Sequence, residues 1–308
     1  MADAFLDADA LRAASFVRHV ELHDTLGSTN DRAAELARDE TIELPALIVA
    51  RLQTAGRGRG QHKWWSADGA LTFSLLLEPS VLGISINNWP QLSLATAVAV
   101  CDALSHELRA TTQRAGASPP PSKSIKQTDA SAKLHSHQNK FPHGLEDEPA
   151  RSEPPRLGIK WPNDVLIYND KIAGILIESP GGYVPASNRL IIGIGTNVNN
   201  SWSTAPADLV KRGIALCDVT GHPLDIQAVL IALLCALEIR LDQVAANDRT
   251  LHHAWQNHCW LTNRDAVVEV HDRTVTGRCV GIAEDGALLL DVNRSIERFY
   301  SGSVTVRE

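Results

Sequence analysis

The sequence predicts an α+β chain: one sheet covered by helices, followed by a small C-terminal β-barrel. Three observations carry this reading. Apolar strands and long apolar helices share the region between residues 21 and 260. From Arg264 onward the pattern changes to short β runs separated by turn dipeptides. Within the first region, residues 113–156 lose large apolar residues and fill with Pro, Ser, Lys, Glu and His. The chain has 308 residues, 44% hydrophobic and 21% charged. That is ordinary globular usage and fits about two domains at ~150 residues each.

Taken in order, residues 1–20 read as a ragged leader. GSTNDRAAELARD reads as a capped helix, with Ser28 or Thr29 accepting from the first free N–H groups. PALIVARLQ (45–53) is a buried strand that feeds a glycine-rich loop, and ALTFSLLLEP (70–79) is a second strand, stopped by Pro79. Trp89 to Leu108 is apolar all round, as a buried helix is. The 113–156 stretch cannot bury enough surface to offset its ordering entropy, so it reads as a disordered insertion. Its His135, His137 and His143 do not suffice for a metal tract.

RLGIKW then forms a strand, PND a turn, and VLIYNDKIAGILIES a hairpin with Asn169 and Asp170 in its turn. NRLIIGIGTNVN (188–199) is another strand. DIQAVLIALLCALEIRLDQV (225–244) is a long helix and LHHAWQNHCW a shorter one, whose His252, His253 and His258 belong to a helix surface. The C-terminal unit spans 261–308, with turns at Asp272-Arg273, Asp285-Gly286 and Asn293-Arg294. A unit this small is expected to pack on the main domain, 21–260.

Charge and cysteine usage exclude several classes. Net charge is −7, which disfavours a protein that coats DNA. No secretory signal opens the chain, and no apolar run reaches the roughly 18 residues of a membrane span. The five cysteines, Cys101, Cys217, Cys235, Cys259 and Cys279, lack C-x-x-C spacing, so neither a disulfide framework nor a zinc site is expected. A reducing cytoplasm fits.

Against the acidic background stands GRGRGQHKWW, residues 56–65. Its spacing is neither a P-loop nor a dinucleotide fingerprint. An RNA-binding arginine–glycine tail would be repeated, whereas this segment is single and lies between two strands. Glycine lets a backbone approach a ligand, and arginine offers a planar fork suited to carboxylate or phosphate. IKWPNDVLI adds Lys160, Asn163 and Asp164 at a corner. KIAGILIE adds Lys171 and Gly174, and IIGIGTNVN adds Gly193, Gly195 and Asn197. Together these supply several cations, close-approach glycines and one acid around a single sheet. No Ser-His-Asp or Cys-His set is evident. The set therefore suits joining two anions better than nucleophilic catalysis.

The order GSTND, QTAGRGRG followed by Trp, KWPNDV, KIAGILIE, IGIGTNVN and a small β-barrel resembles the biotin protein ligases. The resemblance runs from about residue 20 to the end, apart from the insertion. It implies a class II aminoacyl-tRNA synthetase-like mixed sheet with helices and an SH3-like C-terminal barrel. It also implies ATP-dependent joining of biotin to a lysine of a biotin carboxyl carrier protein, of acetyl-CoA carboxylase or a related carboxylase, through biotinyl-5′-AMP. By motif match, Ser28, Thr29, Asn30 and Gln53 contact the biotin ring system, with Gly174, Gly193 and Gly195 against the ligand backbone. Gly56, Arg57 and Arg59 close over carboxylate and phosphate. Lys171 holds the biotin carboxylate and the bridging oxygen. Lys160, Asn163 and Asn197 face the nucleotide, together with Arg59. Asp164 orients or deprotonates the incoming lysine. Mg²⁺ is expected on the ATP phosphates, not in a cage of protein ligands.

Two departures stand out. Many members read G-R-G-R-R-G-R-x-W, whereas Gly60, Gln61 and His62 follow Arg59 here, which removes positive charge from the loop. Some members carry an N-terminal helix-turn-helix and double as repressors. Only 26 residues precede GSTND, so DNA binding is not expected. The nearest rival reading is a lipoate or octanoate ligase of the same fold. A second is a binding module that sequesters biotin without turnover. Monomer and homodimer both stay open.

Overall fold

The computed structural model describes residues 5–116, 155–180, 188–206, 209, 213–270 and 272–307. Most of the expected 113–156 insertion, with His135, His137 and His143, lies outside the described residues.

Seven strands form the main sheet: β1 (His19–Leu26), β2 (Ala46–Gln53), β3 (Ala70–Leu77), β4 (Leu157–Lys160), β5 (Asp164–Ile167), β6 (Asp170–Glu178) and β7 (Leu190–Asn197). Their order is β1-β2-β3-β7-β6-β5-β4. β1 and β2 are parallel and the other neighbours antiparallel, so the sheet is mixed. β3 and β7 sit at the centre and are buried along their whole length, which is why their sequences read as near-continuous apolar runs.

The two faces differ. One carries Leu47, Val49, Phe73, Leu75, Ile192 and Ile194 into the main core. There they meet α3 (Leu92–Gly116) and α5 (Ile226–Ala245), through side chains such as Val98, Leu104, Leu230 and Leu234. The opposite face carries Ala46, Ile48, Leu76 and Ile191 against Ala33 and Leu36 of α2 (Thr29–Leu36). Alternation along each strand extends this second face to Ser74, Gly193 and Gly195. A short helix on a face of small residues leaves room for something else.

A second sheet, all antiparallel, holds β8 (Asp265–Val270), β9 (Arg273–Ile282), β10 (Leu288–Val292), β11 (Ser295–Phe299) and β12 (Ser303–Val306) in the order β11-β10-β9-β8-β12. Its Val268, Leu288 and Leu290 join the main core. Trp161 Nε1 donates to Gly286 O at 3.1 Å, tying the KWPND corner to a turn of this sheet. His252 and Gln256 of α6 (Arg249–His258) reach the carbonyl of Ile282, so this histidine serves packing between the sheets.

Five details depart from the sequence reading. Residues 1–20 are not wholly a ragged leader: α1 (Ala8–Ala14) is capped by Asp7 and buries Leu11 completely, and Leu6 and Val17 join the core. β1 was not anticipated, because HVELHDTL carries only a short polar-apolar alternation on an edge strand. The short helix α4 (Leu216–Thr220) was also missed. In the β5–β6 hairpin the left-handed residues are Tyr168 and Asn169, one position earlier than expected. Finally, Ser28 is the N-cap residue of α2, but its side chain makes no capping bond. Gln53 Oε1 takes the Thr29 N–H instead, at 2.7 Å.

α2 is also pinned to β1. Arg32 grips Glu21 with two bonds, Nε to Oε2 at 2.9 Å and Nη2 to Oε1 at 2.8 Å. The Arg32 hydrogen bonds outweigh burial and, with His23, pull the Glu21 carboxyl down to about 2. A depressed carboxyl stabilises the fold above its unfolded value and loses that contribution as pH falls through the folded value. Glu21→Gln is therefore expected to be less stable than the parent at neutral pH, with the gap closing as pH drops from 4.5 toward about 2. Denaturant melts across that range read it, and a pH-independent gap would count against the pair. Leu11→Ala should lower unfolding free energy by about 2–5 kcal/mol, as cavity-forming changes at fully buried sites do. A neutral result in the same melts would show that α1 is only resting on the core.

Candidate active site

The sheet aligns the candidate residues in rows. Asp164 on β5 faces Gly174 on β6, Gly174 faces Gly195 on β7, and Gly195 faces Thr72 on β3. One step along, Leu176, Gly193 and Ser74 line up, and one further, Glu178 and Ile191. These rows share one face, the α2 face.

Strict alternation would place Ile172 beside Gly174. A register break in the β5–β6 pairing, between Val165 and Leu166, changes this. Ile172 and Ala173 both enter the core, and Lys171 is aimed onto the site face. A Cβ built on Gly174 would lie 3.0 Å from Lys171 Cε and 3.1 Å from its Nζ. The ammonium rests 2.6 Å from Asp164 Oδ1. Lys160 stands opposite Asp164 in register, so two lysines flank the acid.

The glycine loop folds as a small hairpin. Gly58 N donates to His62 O at 2.8 Å, Trp64 N donates to Gly56 O at 3.0 Å, and Arg57 bridges Lys63. Gly60 has φ of 63° and turns the chain at the tip. The return strand lays Trp64 on the sheet. Its indole covers Gly195 so closely that a Cβ there would overlap the ring, and it also touches the Gly174 position at 3.3 Å. Lys171 Nζ lies 5.7 Å from the Trp64 ring centroid. Next to it, Trp65 meets Trp202 edge-on at 5.2 Å, and Trp202 covers Gly213. The indole N–H groups of Trp64 and Trp202 are buried without a hydrogen-bond partner.

A polar chain runs along the α2 side. Gln53 Oε1 accepts from Thr29 N, and Thr29 Oγ1 lies 3.2 Å from it. Ser74 Oγ lies 2.7 Å from Thr29 Oγ1 and donates to Asn30 Oδ1 at 2.6 Å. Asn30 Nδ2 donates to Glu178 Oε2 at 2.7 Å. Glu178 then holds Arg57 through both oxygens, at 2.7 and 2.6 Å, and Arg57 also meets Asp31 at 2.9 Å. The bond to Glu178 raises the Arg57 pKa. Burial pulls the Glu178 carboxyl upward, but hydrogen bonds from Arg57 and Asn30 outweigh it and leave it below the usual range.

The structure thus brings together Thr29, Asn30, Gln53, Arg57, Asp164, Lys171, Gly174 and Gly195, with Ser28 buried beside Thr29. Other assignments meet internal partners. A Cβ on Gly193 would overlap Asn30 Oδ1, so Gly193 makes room for that amide. Arg59 donates to Gly302 O at 2.8 Å, just before β12, and burial lowers its pKa against the opposing pull of the Asp164 charge. Asn163 donates to Ile175 O at 2.9 Å and accepts its N–H at 3.0 Å, which locks the corner onto β6. Asn197 is 1% exposed and spends its amide on Lys171 O, Ile214 O and Asn200. Two members of the polar chain escaped the sequence reading, Ser74 and Glu178. Ser74 carried a signal, since a hydroxyl in a fully buried strand needs a partner. Among the described residues, no group of three or more His, Cys, Asp or Glu side chains converges to hold a metal ion.

The chain belongs to the biotin/lipoate A/B protein ligase family, which residues 23–197 match. Residues 267–307 match the biotin protein ligase C terminal domain. The chain is 30% identical over 289 residues to the bifunctional ligase/repressor BirA of Bacillus subtilis, covering 93% of this chain and 74% of that one. It is 29% identical over 271 residues to the biotin–[acetyl-CoA-carboxylase] ligase of Paracoccus denitrificans, covering 85% and 90%. In fold it is similar to the biotin protein ligase of Aquifex aeolicus in complex with biotin and ATP, with a TM-score of 0.69, 24% identity and coverage of 94% and 99%.

The tight fit at Gly193 has a direct consequence. Gly193→Ala should cost about 1–3 kcal/mol or more, because the methyl overpacks against Asn30. Chemical denaturation tests this, and an unchanged midpoint would mean that Asn30 moves freely.

Proposed function

We propose that the protein joins biotin to a lysine of a carrier protein at the expense of ATP, through biotinyl-5′-AMP. The observation that carries this reading is Lys171, aimed by a bulge over Gly174 and beside Asp164, at the end of a donor–acceptor wall built from Thr29, Gln53 and Ser74. The match of residues 267–307 to the biotin protein ligase C terminal domain favours biotin over lipoate or octanoate within the family.

The chemistry follows from charge. In the first step a biotin carboxylate oxygen attacks the α-phosphate of ATP, an O–P bond forms, and pyrophosphate leaves. Two unit charges 4 Å apart repel by about 1 kcal/mol in water and about 4 kcal/mol at an effective dielectric near 20. Lys171 offsets that repulsion, holding the carboxylate and then the bridging oxygen. Lys160 faces the phosphates, while Asn163 and Asn197, whose amides are spent on Ile175 O, Lys171 O and Ile214 O, hold the corner and β7 in place beneath the nucleotide. Arg57 and Arg59 close the glycine loop over the acid–phosphate junction, which requires Arg59 to leave Gly302 O. Gly56, Gly174 and Gly195 give the ligand access to backbone once Trp64 shifts. Gly193, under Asn30, supports the ring pocket of Ser28, Thr29, Asn30 and Gln53. Mg²⁺ accompanies the ATP phosphates and neutralises part of their charge when bound. Asp164 is the acid beside the lysine, and a hard cation of this kind binds through one or two carboxylates plus phosphates.

In the second step the acceptor lysine amine attacks the carbonyl carbon of the anhydride. The carbonyl carbon's bond to the bridging oxygen breaks and AMP leaves. Asp164 orients the amine and takes its proton. The acceptor is the biotin carboxyl carrier protein of acetyl-CoA carboxylase or a related carboxylase, and the reaction is cytoplasmic. The two sheets correspond to a class II synthetase-like catalytic unit (21–260) and an SH3-like barrel (261–308).

Biotin-dependent ATP–pyrophosphate exchange tests this function, with lipoate and octanoate as comparison acids. Exchange with biotin alone is expected. Exchange with lipoate instead would move the protein to the other branch of the family. Biotin binding without exchange would favour the binding module. Lys171→Ala should lower kcat/KM for exchange by about 10²–10³-fold, the usual cost of removing one preorganised charge partner. A loss under tenfold would remove Lys171 from the reaction.

A further inference from the structure

Glu178 ends β6 on the site face, and neither the motif reading nor the reaction assigns it a part. Its carboxylate is an acceptor only. That sets the direction of the hydrogen bonds through Asn30, Ser74 and Thr29. Asn30 can meet Glu178 only with Nδ2, at 2.7 Å, so its Oδ1 must point at Ser74, at 2.6 Å. An amide oxygen cannot donate, so the single Ser74 hydroxyl proton goes to Asn30. The 2.7 Å contact between Ser74 and Thr29 is then closed by the Thr29 proton. Gln53 Oε1 is already taken by the Thr29 backbone N–H, which leaves Gln53 Nε2 as the free donor. The same carboxylate grips Arg57 of the glycine loop with both oxygens.

We propose that Glu178 is the positioning residue that sets the hydrogen-bond polarity of the acid-binding pocket and couples it to the glycine loop. Through Asn30 it makes Ser74 and Thr29 acceptors, beside the Gln53 Nε2 donor that the Thr29 backbone N–H fixes. A cyclic urea, with two N–H groups and one carbonyl, fits that polarity, and a ring that replaces the carbonyl with a further N–H group does not. This rests on the proposed reading of the protein as a biotin ligase.

The test is binding, measured by titration calorimetry, of biotin and of 2-iminobiotin, whose ring carries an N–H group where biotin has its carbonyl. The parent protein is expected to prefer biotin. Glu178→Gln can present an amide to Asn30 or to Arg57, and it should cut that preference by about tenfold, equivalent to ~1.4 kcal/mol. A merely structural defect would weaken both ligands alike and leave their ratio unchanged, and that result would overturn the proposal. Ser74→Ala interrupts the same relay without touching Arg57 and should also erode the ratio. It carries the test if Glu178→Gln does not fold, and an unchanged ratio there would equally overturn the proposal. If the parent protein binds neither ligand, it is the ligase reading that fails.

Discussion

The site depends on a stretch of sheet without side chains. Gly174, Gly193 and Gly195 lie on one face of two neighbouring central strands, where side chains would otherwise stand about as tall as those of Leu76 or Ile191 nearby. Because nothing projects there, Asn30 can sit on Gly193 and the Trp64 ring on Gly195. A strand interior weakened by glycine needs a reason, and close approach is the recognised one. Here the fully buried β3 and β7 supply the rigidity that the glycines give up.

Charge is arranged around that bare face with little left over. Lys171 meets Asp164, Arg57 meets Glu178 and Asp31, and Arg59 meets the carbonyl of Gly302. Each cation is held by a partner that a more negative ligand could replace. Arg59 and Trp161 both end on carbonyls of the second sheet, so that sheet supports the loop and the KWPND corner together. Burial of Arg59 against a neutral carbonyl lowers its pKa, whereas Arg57 between two carboxylates is raised. The two arginines of one motif therefore stand in opposite electrostatic settings.

Much of this was legible from residues. The apolar runs at 46–53, 70–77 and 190–197 and the helix at 226–245 were read within a residue or two, because buried strands and an apolar helix leave strong patterns. β1 and α1 were not, since an edge strand and a seven-residue helix carry short, polar signals. The sequence named the motif residues but not their partners. Motif spacing singled out Asn163 and Asn197, yet it could not tell that both amides are spent on backbone carbonyls of neighbouring segments. Nor could it place Trp64 on the glycines, because that depends on the 57–63 hairpin reversing the chain. Lys171 itself reaches the face only through a bulge, which alternation in the sequence does not announce.

The central claim is that this face activates biotin as its adenylate. It is tested most directly by mass spectrometry of an acid-quenched single turnover, with excess protein over biotin, Mg·ATP and pyrophosphatase present. The account predicts biotinyl-5′-AMP accumulating to nearly one per biotin and disappearing, with AMP release, when a carrier protein is added. Free biotin and intact ATP at the end of the incubation, in a protein that binds both, would contradict it.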